Sequence, residues 1–137
     1  MQQNYIGGKW VDGATASRNV NPSDLSDVIG EYAQAGAAQT TAAIEAGRAA
    51  APAWAHATGQ ARSDALDKIG TEILARSREL GELLAREEGK TLPEAQGEVN
   101  RAGQIFKFFA GEALRVAGEK LPMVRPGIEP EVTREPV

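Results

Sequence analysis

The sequence predicts a helix-rich chain with short N-terminal strands and a C-terminal extended strand. Three observations lead to this prediction. Glycine and asparagine–proline turn signals separate short β-forming runs over residues 1–34. Strong helix formers and apolar residues spaced three and four apart dominate residues 37–117. Residues 121–130 contain three prolines and one glycine, which argues for an extended segment there.

Composition limits what the chain can do on its own. Its 137 residues include 24 alanines and only 5% aromatic residues, so its helices can pack closely but bury little area. We therefore expect them to pack against a larger structure. The net charge of −4 and the absence of a basic cluster interleaved with aromatic residues argue against nucleic-acid binding.

The absence of cysteine excludes a disulfide, a thiolate metal site and a thiol nucleophile within these residues. The N-terminus has neither a basic region nor an apolar stretch, so it does not resemble a signal peptide. No apolar run approaches the length of a membrane span. The sequence therefore predicts a cytoplasmic protein.

The N-terminal strands are predicted from alternation and turn signals. Residues Asn4 to Val11 alternate around Gly7 and Gly8, which predicts a short hairpin or two edge strands. A turn at Asn21-Pro22-Ser23-Asp24 precedes a predicted strand from Asp27 to Ala33.

The helical segments that precede the last one are bounded by proline and glycine. We expect a helix from Ala37 to Ala51 that ends at Pro52. One apolar stripe predicts one or two helices from about Ala61 to Glu88, with Gly89 as the stop. The stripe consists of Leu66, Ile69, Ile73, Leu80 and Leu83.

The last helix has the strongest start signal. Thr91 and Glu94 form a capping box, and Pro93 occupies the permitted first turn. We expect the helix to run to about Ala117 and to stop at Gly118. The face predicted to enter a core contains Ala95, Val99, Ala102, Phe106, Phe109, Ala113 and Val116.

The residues Glu131 to Val137 begin a predicted β-strand. Val132 and Thr133 favour a strand, whereas Pro136 is tolerated only near an edge or an end. No partner strand follows, so we expect a strand that has been cut short.

Five segments along the chain are informative when they are taken in order. They are Asn4-Tyr5-Ile6-Gly7-Gly8-Lys9-Trp10, Asn21-Pro22, Ala49-Ala50-Ala51-Pro52-Ala53-Trp54, Glu87-Glu88-Gly89-Lys90-Thr91 and Phe108-Phe109-Ala110-Gly111. Each is a weak signal alone, but all five in this order resemble the aldehyde dehydrogenase family over the whole chain. Residues 21–27 and 101–109 look most like α-ketoglutaric semialdehyde dehydrogenases.

The resemblance implies an α/β fold for the full-length enzyme, of which this chain would be the N-terminal fragment. Residues 1–117 would belong to the NAD(P)-binding domain, and residues 118–137 would begin the arm that joins subunits into a homo-oligomer. The implied reaction uses a cysteine thiolate, NAD(P)+ and an activated water. The nucleophile, the general base and the dinucleotide loop would lie beyond Val137. We therefore expect no catalytic or cofactor-binding residue, no bound cofactor and no activity in the fragment alone.

The resemblance also implies a monovalent cation site. Its ligands here would be the main-chain oxygen of Val20 and the carboxylate of Glu87. Oxygen ligands with one negative charge suit a hard cation. The alternative is that Glu87 is one more solvated acid near a helix end.

A second candidate site lies on the last helix. Gly97, Arg101, Gln104 and Phe108 are spaced four, three and four apart and lie opposite the apolar face. The resemblance implies that this face borders the channel by which aldehydes reach the cysteine. The guanidinium of Arg101 could bind a substrate carboxylate there. The alternative is an exposed Arg101 paired with Glu98.

The resemblance thus implies part of an NAD(P)+-dependent aldehyde dehydrogenase that oxidises α-ketoglutaric semialdehyde to α-ketoglutarate. Its partner would be a small carboxylated aldehyde, with no nucleic acid and no membrane. One alternative is another semialdehyde dehydrogenase, such as one for succinic semialdehyde. The other is a helical interaction module without catalytic function.

Overall fold

The structure is a computed structural model that describes residues 1–135. The last two residues of the predicted terminal strand, Pro136 and Val137, lie outside the described residues. The strands are β1 (Asn4–Ile6), β2 (Lys9–Val11), β3 (Thr15–Val20), β4 (Val28–Gln34), β5 (Glu119–Lys120) and β6 (Glu131–Val132). The helices are α1 (Ala37–Ala55), α2 (Gly59–Ala75), α3 (Ser77–Glu88) and α4 (Leu92–Ala113). None of the helices in this range combines the length and apolar character needed to cross a membrane.

The first hairpin confirms the prediction for residues 4–11. Strands β1 and β2 pair antiparallel, with Tyr5 opposite Trp10. Gly7 and Gly8 have φ values of 58° and 80°, which a two-residue turn between twisted strands requires. The hairpin rests on α1, because a Cβ built on Gly7 would lie 3.6 Å from the Cβ of Ala46.

Strand β3 is an element that the sequence did not predict. Its residues, Thr-Ala-Ser-Arg-Asn-Val, are mostly polar and lack apolar alternation. The strand forms because β4 supplies an antiparallel partner for each of its residues, with a register shift between Asn19 and Val20. The predicted strand from Asp27 to Ala33 is confirmed as β4, displaced by one residue.

Helix α1 is longer than predicted, and the expectation that Pro52 ends it was wrong. The helix continues for one more turn to Ala55, and the amide of His56 donates to the Pro52 carbonyl at 3.1 Å. Pro52 has no amide to donate to the carbonyl four residues earlier, so α1 runs through it with one hydrogen bond fewer.

The region predicted to form one or two helices from about Ala61 to Glu88 forms two, α2 and α3. The Thr58 hydroxyl caps α2 by accepting from the amide of Ala61 at 3.1 Å. The predicted stop at Gly89 is confirmed, since this residue adopts a left-handed conformation with φ of 67°.

Helix α4 begins as predicted and ends earlier than predicted. Both hydrogen bonds of the capping box between Thr91 and Glu94 are present. The helix ends at Ala113 instead of Ala117, because the chain tightens into a final turn in which the amide of Arg115 donates to the Glu112 carbonyl at 2.8 Å. The Arg115 side chain also pairs with the Glu112 carboxylate, which favours this turn.

The core lies where α2 crosses α4, and small residues dominate it. The buried residues of these helices and α3 are Ser63, Gly70, Gly81, Ala95, Val99, Gly103 and Ala110. A Cβ on Gly70 would lie 2.9 Å from the Gly103 carbonyl oxygen, so the two backbones are in close contact. The core face of α4 is therefore rotated from the predicted one. The placement of Phe109 and Val116 in the core was wrong, since they are 53% and 56% exposed.

The C-terminal segment folds back on itself. Gly127, with φ of 79°, reverses the chain so that β6 pairs antiparallel with β5. The predicted terminal strand is confirmed only for Glu131–Val132, and it pairs with β5. Its partner precedes it in the chain.

Candidate functional site

A shallow depression of about 340 Å³ lies on the outer surface of α4. Arg101, Gln104, Ile105, Phe108 and Phe109 line it. The structure thus brings together three of the four residues predicted for a substrate channel. The fourth, Gly97, lies one turn earlier, where a built Cβ would meet no described atom within 4 Å, and it does not line the depression.

The guanidinium of Arg101 is not paired with Glu98. The Glu98 carboxylate accepts instead from the Lys90 ammonium at 2.5 Å, and Lys90 also pairs with Glu88. The hydrogen bonds that Lys90 donates to the carboxylates of Glu88 and Glu98 raise the pKa of Lys90. The alternative is therefore wrong about the pairing with Glu98, although Arg101 is exposed as that alternative supposed.

Most other polar side chains of α4 are already hydrogen-bonded. The hydrogen-bonded pairs are Glu94 with Thr91, Asn100 with Ser77, Lys107 with Asp67 and Thr71, and Glu112 with Arg115. Gln96 has no such bond, but its side chain packs on Gly81. Within residues 1–135, Arg101 and Gln104 make no side-chain hydrogen bond or ion pair, so all their donors remain available to a ligand.

An apolar wall completes the depression. Phe108 and Phe109 pack edge to face, with ring centroids 5.3 Å apart, and Ile105 lies one turn before them. Sequence reasoning missed Ile105 and assigned Phe109 to the core. Spacings of three and four residues relate Phe109 both to the predicted core face and to the depression. Neighbouring positions on a helix differ in direction by only about 100°, so such spacings do not decide between the two faces.

The predicted cation ligands lie where the end of α3 meets β3. The carboxylate of Glu87 accepts from the side-chain amide of Asn19 at 2.8 Å, and Val20 follows Asn19 at the register shift. Glu87 is half-buried, so it is not simply a solvated acid. In the described range no group of three histidine, cysteine or acidic residues could hold a metal ion. A monovalent cation bound by Val20 and Glu87 stays a prediction.

An ion pair beside Glu87 joins α3 to the turn between β3 and β4. The guanidinium of Arg86 donates to both carboxylate oxygens of Asp27, at 2.9 and 2.6 Å, and Asn21 donates to the same carboxylate at 3.2 Å. The hydrogen bonds from Arg86, the larger cause, and from Asn21 lower the pKa of Asp27 to about 2. Sequence reasoning missed this pair, because no local spacing relates residues 59 positions apart.

Replacing Asp27 with Asn should lower the melting temperature at neutral pH. Because folding lowers the pKa of this carboxyl, its contribution is fully present above the pKa of the unfolded chain and is lost as the pH falls towards 2. The difference in melting temperature between the two proteins should therefore shrink from pH 6 to pH 2. Circular dichroism melts across this range would measure it, and a difference that does not depend on pH would contradict the role of the pair.

The comparisons with known proteins agree with one another. A family model described as "Aldehyde dehydrogenase family" matches residues 10–137. An alpha-ketoglutarate semialdehyde dehydrogenase from Haloferax volcanii is 36% identical over 98% of this chain and 28% of its own length. A glutarate-semialdehyde dehydrogenase from Pseudomonas putida is 35% identical over 99% of this chain and 28% of its own length. The chain thus spans little more than a quarter of these relatives.

Solved structures show the same similarity. An aldehyde dehydrogenase from Brucella melitensis matches with a TM-score of 0.87 and 34% identity, over 93% of this chain and 26% of that one. A betaine aldehyde dehydrogenase from Staphylococcus aureus, solved in complex with NAD+, matches with a TM-score of 0.91 and 28% identity, over 99% and 28%. The predicted resemblance and fold are confirmed: the chain belongs to the aldehyde dehydrogenase family.

Proposed function

We propose that this chain is the N-terminal part of an NAD(P)+-dependent aldehyde dehydrogenase whose substrate carries a carboxylate. The observation that supports this most strongly is the unpaired guanidinium of Arg101 at the rim of an apolar depression. A guanidinium binds a carboxylate with two parallel hydrogen bonds, and the apolar wall suits the methylene groups of a short chain.

The substrate we propose first is α-ketoglutaric semialdehyde, with α-ketoglutarate as the product. The names of similar proteins support a carboxylated semialdehyde, since they include alpha-ketoglutarate, glutarate and succinate semialdehyde dehydrogenases. Each of these substrates has an aldehyde at one end and a carboxylate at the other. Succinic semialdehyde remains the alternative substrate, whereas family membership disfavours a non-catalytic helical module.

Neither of the two glycine turns, at Gly7-Gly8 and at Gly89, fits a dinucleotide phosphate loop. Gly7 and Gly8 form the turn of an antiparallel hairpin, and Gly89 links two helices. Neither position joins a strand to a helix, which a pyrophosphate-binding loop requires. In the proposed enzyme, residues outside this chain would hold NAD(P)+ and supply the cysteine, and this chain would position the substrate.

Residues 1–117 would then belong to the NAD(P)-binding domain, and residues 118–137 to the arm that joins subunits into a homo-oligomer. The antiparallel pair of β5 and β6 supports the second assignment, because exposed apolar residues, among them Val124 and Ile128, border it. Such residues are suited to a subunit contact. A cytoplasmic location stays a prediction.

The proposed function is tested by comparing substrates of equal length. The complete enzyme should reduce NAD+ or NADP+ with 5-oxopentanoate and 2,5-dioxopentanoate at least about tenfold more efficiently than with pentanal, because only the first two offer a carboxylate to Arg101. Absorbance of the reduced cofactor measures this. The 137-residue chain alone should give no turnover, since it has no thiol. Equal efficiency with pentanal, or turnover by the chain alone, would contradict the proposal.

A further inference from the structure

We propose that Gln104 is a specificity-determining residue that donates a hydrogen bond to the 2-oxo group of the substrate. It would thereby distinguish an α-keto semialdehyde from the plain dicarboxylic semialdehyde of the same length. This inference rests on the proposed function and assigns to Gln104 a role separate from that of Arg101.

The placement of the two side chains carries the inference. Residues three apart lie on the same face of a helix, and the rise between them is about 4.5 Å. Arg101 and Gln104 both line the depression, and neither is engaged by another side chain of the described range. A guanidinium and a primary amide therefore face one ligand-sized space with all their donors available.

The chemistry of the two candidate substrates separates the roles of these donors. The guanidinium has donors only and suits the carboxylate, which 5-oxopentanoate and 2,5-dioxopentanoate share. Only 2,5-dioxopentanoate has a carbonyl on the carbon next to the carboxylate. The amide nitrogen of Gln104, one turn from Arg101, is the donor placed to reach that carbonyl oxygen, because the other lining side chains are apolar.

The apolar wall fixes the direction of the substrate. Ile105 and Phe108 lie on the side of the depression that continues away from Arg101 along α4. Methylene groups packed against these side chains would leave the carboxylate and the neighbouring carbon beside Arg101 and Gln104. A site that hydrogen-bonds a substrate group discriminates against the analogue that lacks it, since its own donor is then left unpaired.

Replacing Gln104 with Met in the complete enzyme tests the inference. Methionine keeps the length and the helix propensity of glutamine but removes the amide. The ratio of kcat/KM for 2,5-dioxopentanoate to that for 5-oxopentanoate should fall about fivefold or more. This ratio does not depend on the fraction of active enzyme. If Gln104→Met is insoluble, Gln104→Glu keeps the shape, replaces the donor by an acceptor, and should lower the same ratio.

Two controls separate this inference from the proposed function. Gln96→Met replaces the other glutamine of α4, which packs on α3 through Gly81, and should leave the ratio unchanged. Arg101→Met should lower kcat/KM for both carboxylated substrates. An unchanged ratio in the Gln104 variants overturns the inference even when Arg101→Met shows the expected loss. If Arg101→Met lowers kcat/KM for the carboxylated substrates no more than for pentanal, the proposed function is overturned as well.

Discussion

Replacing Arg101 with Met in the complete enzyme is expected to lower kcat/KM for carboxylated semialdehydes by about tenfold or more. The loss for pentanal should be small, because pentanal offers no carboxylate to the guanidinium. Methionine keeps the length and helix propensity of arginine and deletes its five donors. The side chain has no partner within residues 1–135, so its removal should leave no buried group unpaired in the described part of the chain.

Arg78 provides the matched control for this substitution. It is an exposed arginine on α3 that pairs with Glu82 at 3.0 Å and does not line the depression of α4. Arg78→Met should leave kcat/KM unchanged both for carboxylated semialdehydes and for pentanal. Equal losses for charged and uncharged aldehydes in Arg101→Met would show that Arg101 supports the structure, and no loss for either would show that it is merely solvated.

Replacing Gly70 with Ala should destabilise the chain by about 1–3 kcal/mol, the usual cost of overpacking. The added Cβ would lie 2.9 Å from both the Gly103 carbonyl oxygen and the Lys107 Cγ. The lysine side chain can move, whereas the carbonyl belongs to the backbone of α4, so the two helices must separate. Urea unfolding of the chain would measure the change.

Gly47 provides the matched control for Gly70. It lies within α1, and a Cβ built there meets no described atom within 4 Å. Gly47→Ala should therefore stabilise the chain by up to about 1 kcal/mol through helix propensity alone. If Gly70→Ala proves as harmless as Gly47→Ala, the close approach of α2 and α4 is not a structural requirement.

Local signals in the sequence predicted local structure well. The hairpin around Gly7, the capping box at Thr91 and the stop at Gly89 were all confirmed, because each depends on residues within a few positions of one another. Two of the errors arose where distant residues decide the outcome. Strand β3 exists only through its ladder with β4, and the terminal strand found its partner in β5.

The core face of α4 shows a different limit of sequence reasoning. Apolar periodicity selected Phe106 and Phe109, but the closest packing occurs at Gly103, which has no side chain for such a pattern to detect. The opposite face was predicted better. Arg101 and Gln104 lie together on the exposed side of α4. The sequence could not show that Glu98 forms its ion pair with Lys90.

A crystal structure of the complete enzyme with bound 2-oxoglutarate, the proposed product, tests the role of α4 most directly. We expect the Arg101 guanidinium within about 3 Å of a carboxylate oxygen, which is the distance of a charge-assisted hydrogen bond. The methylene groups should lie against Ile105 and Phe108. A product carboxylate bound by other residues, with Arg101 in solvent or paired with another part of the protein, would contradict the proposed function.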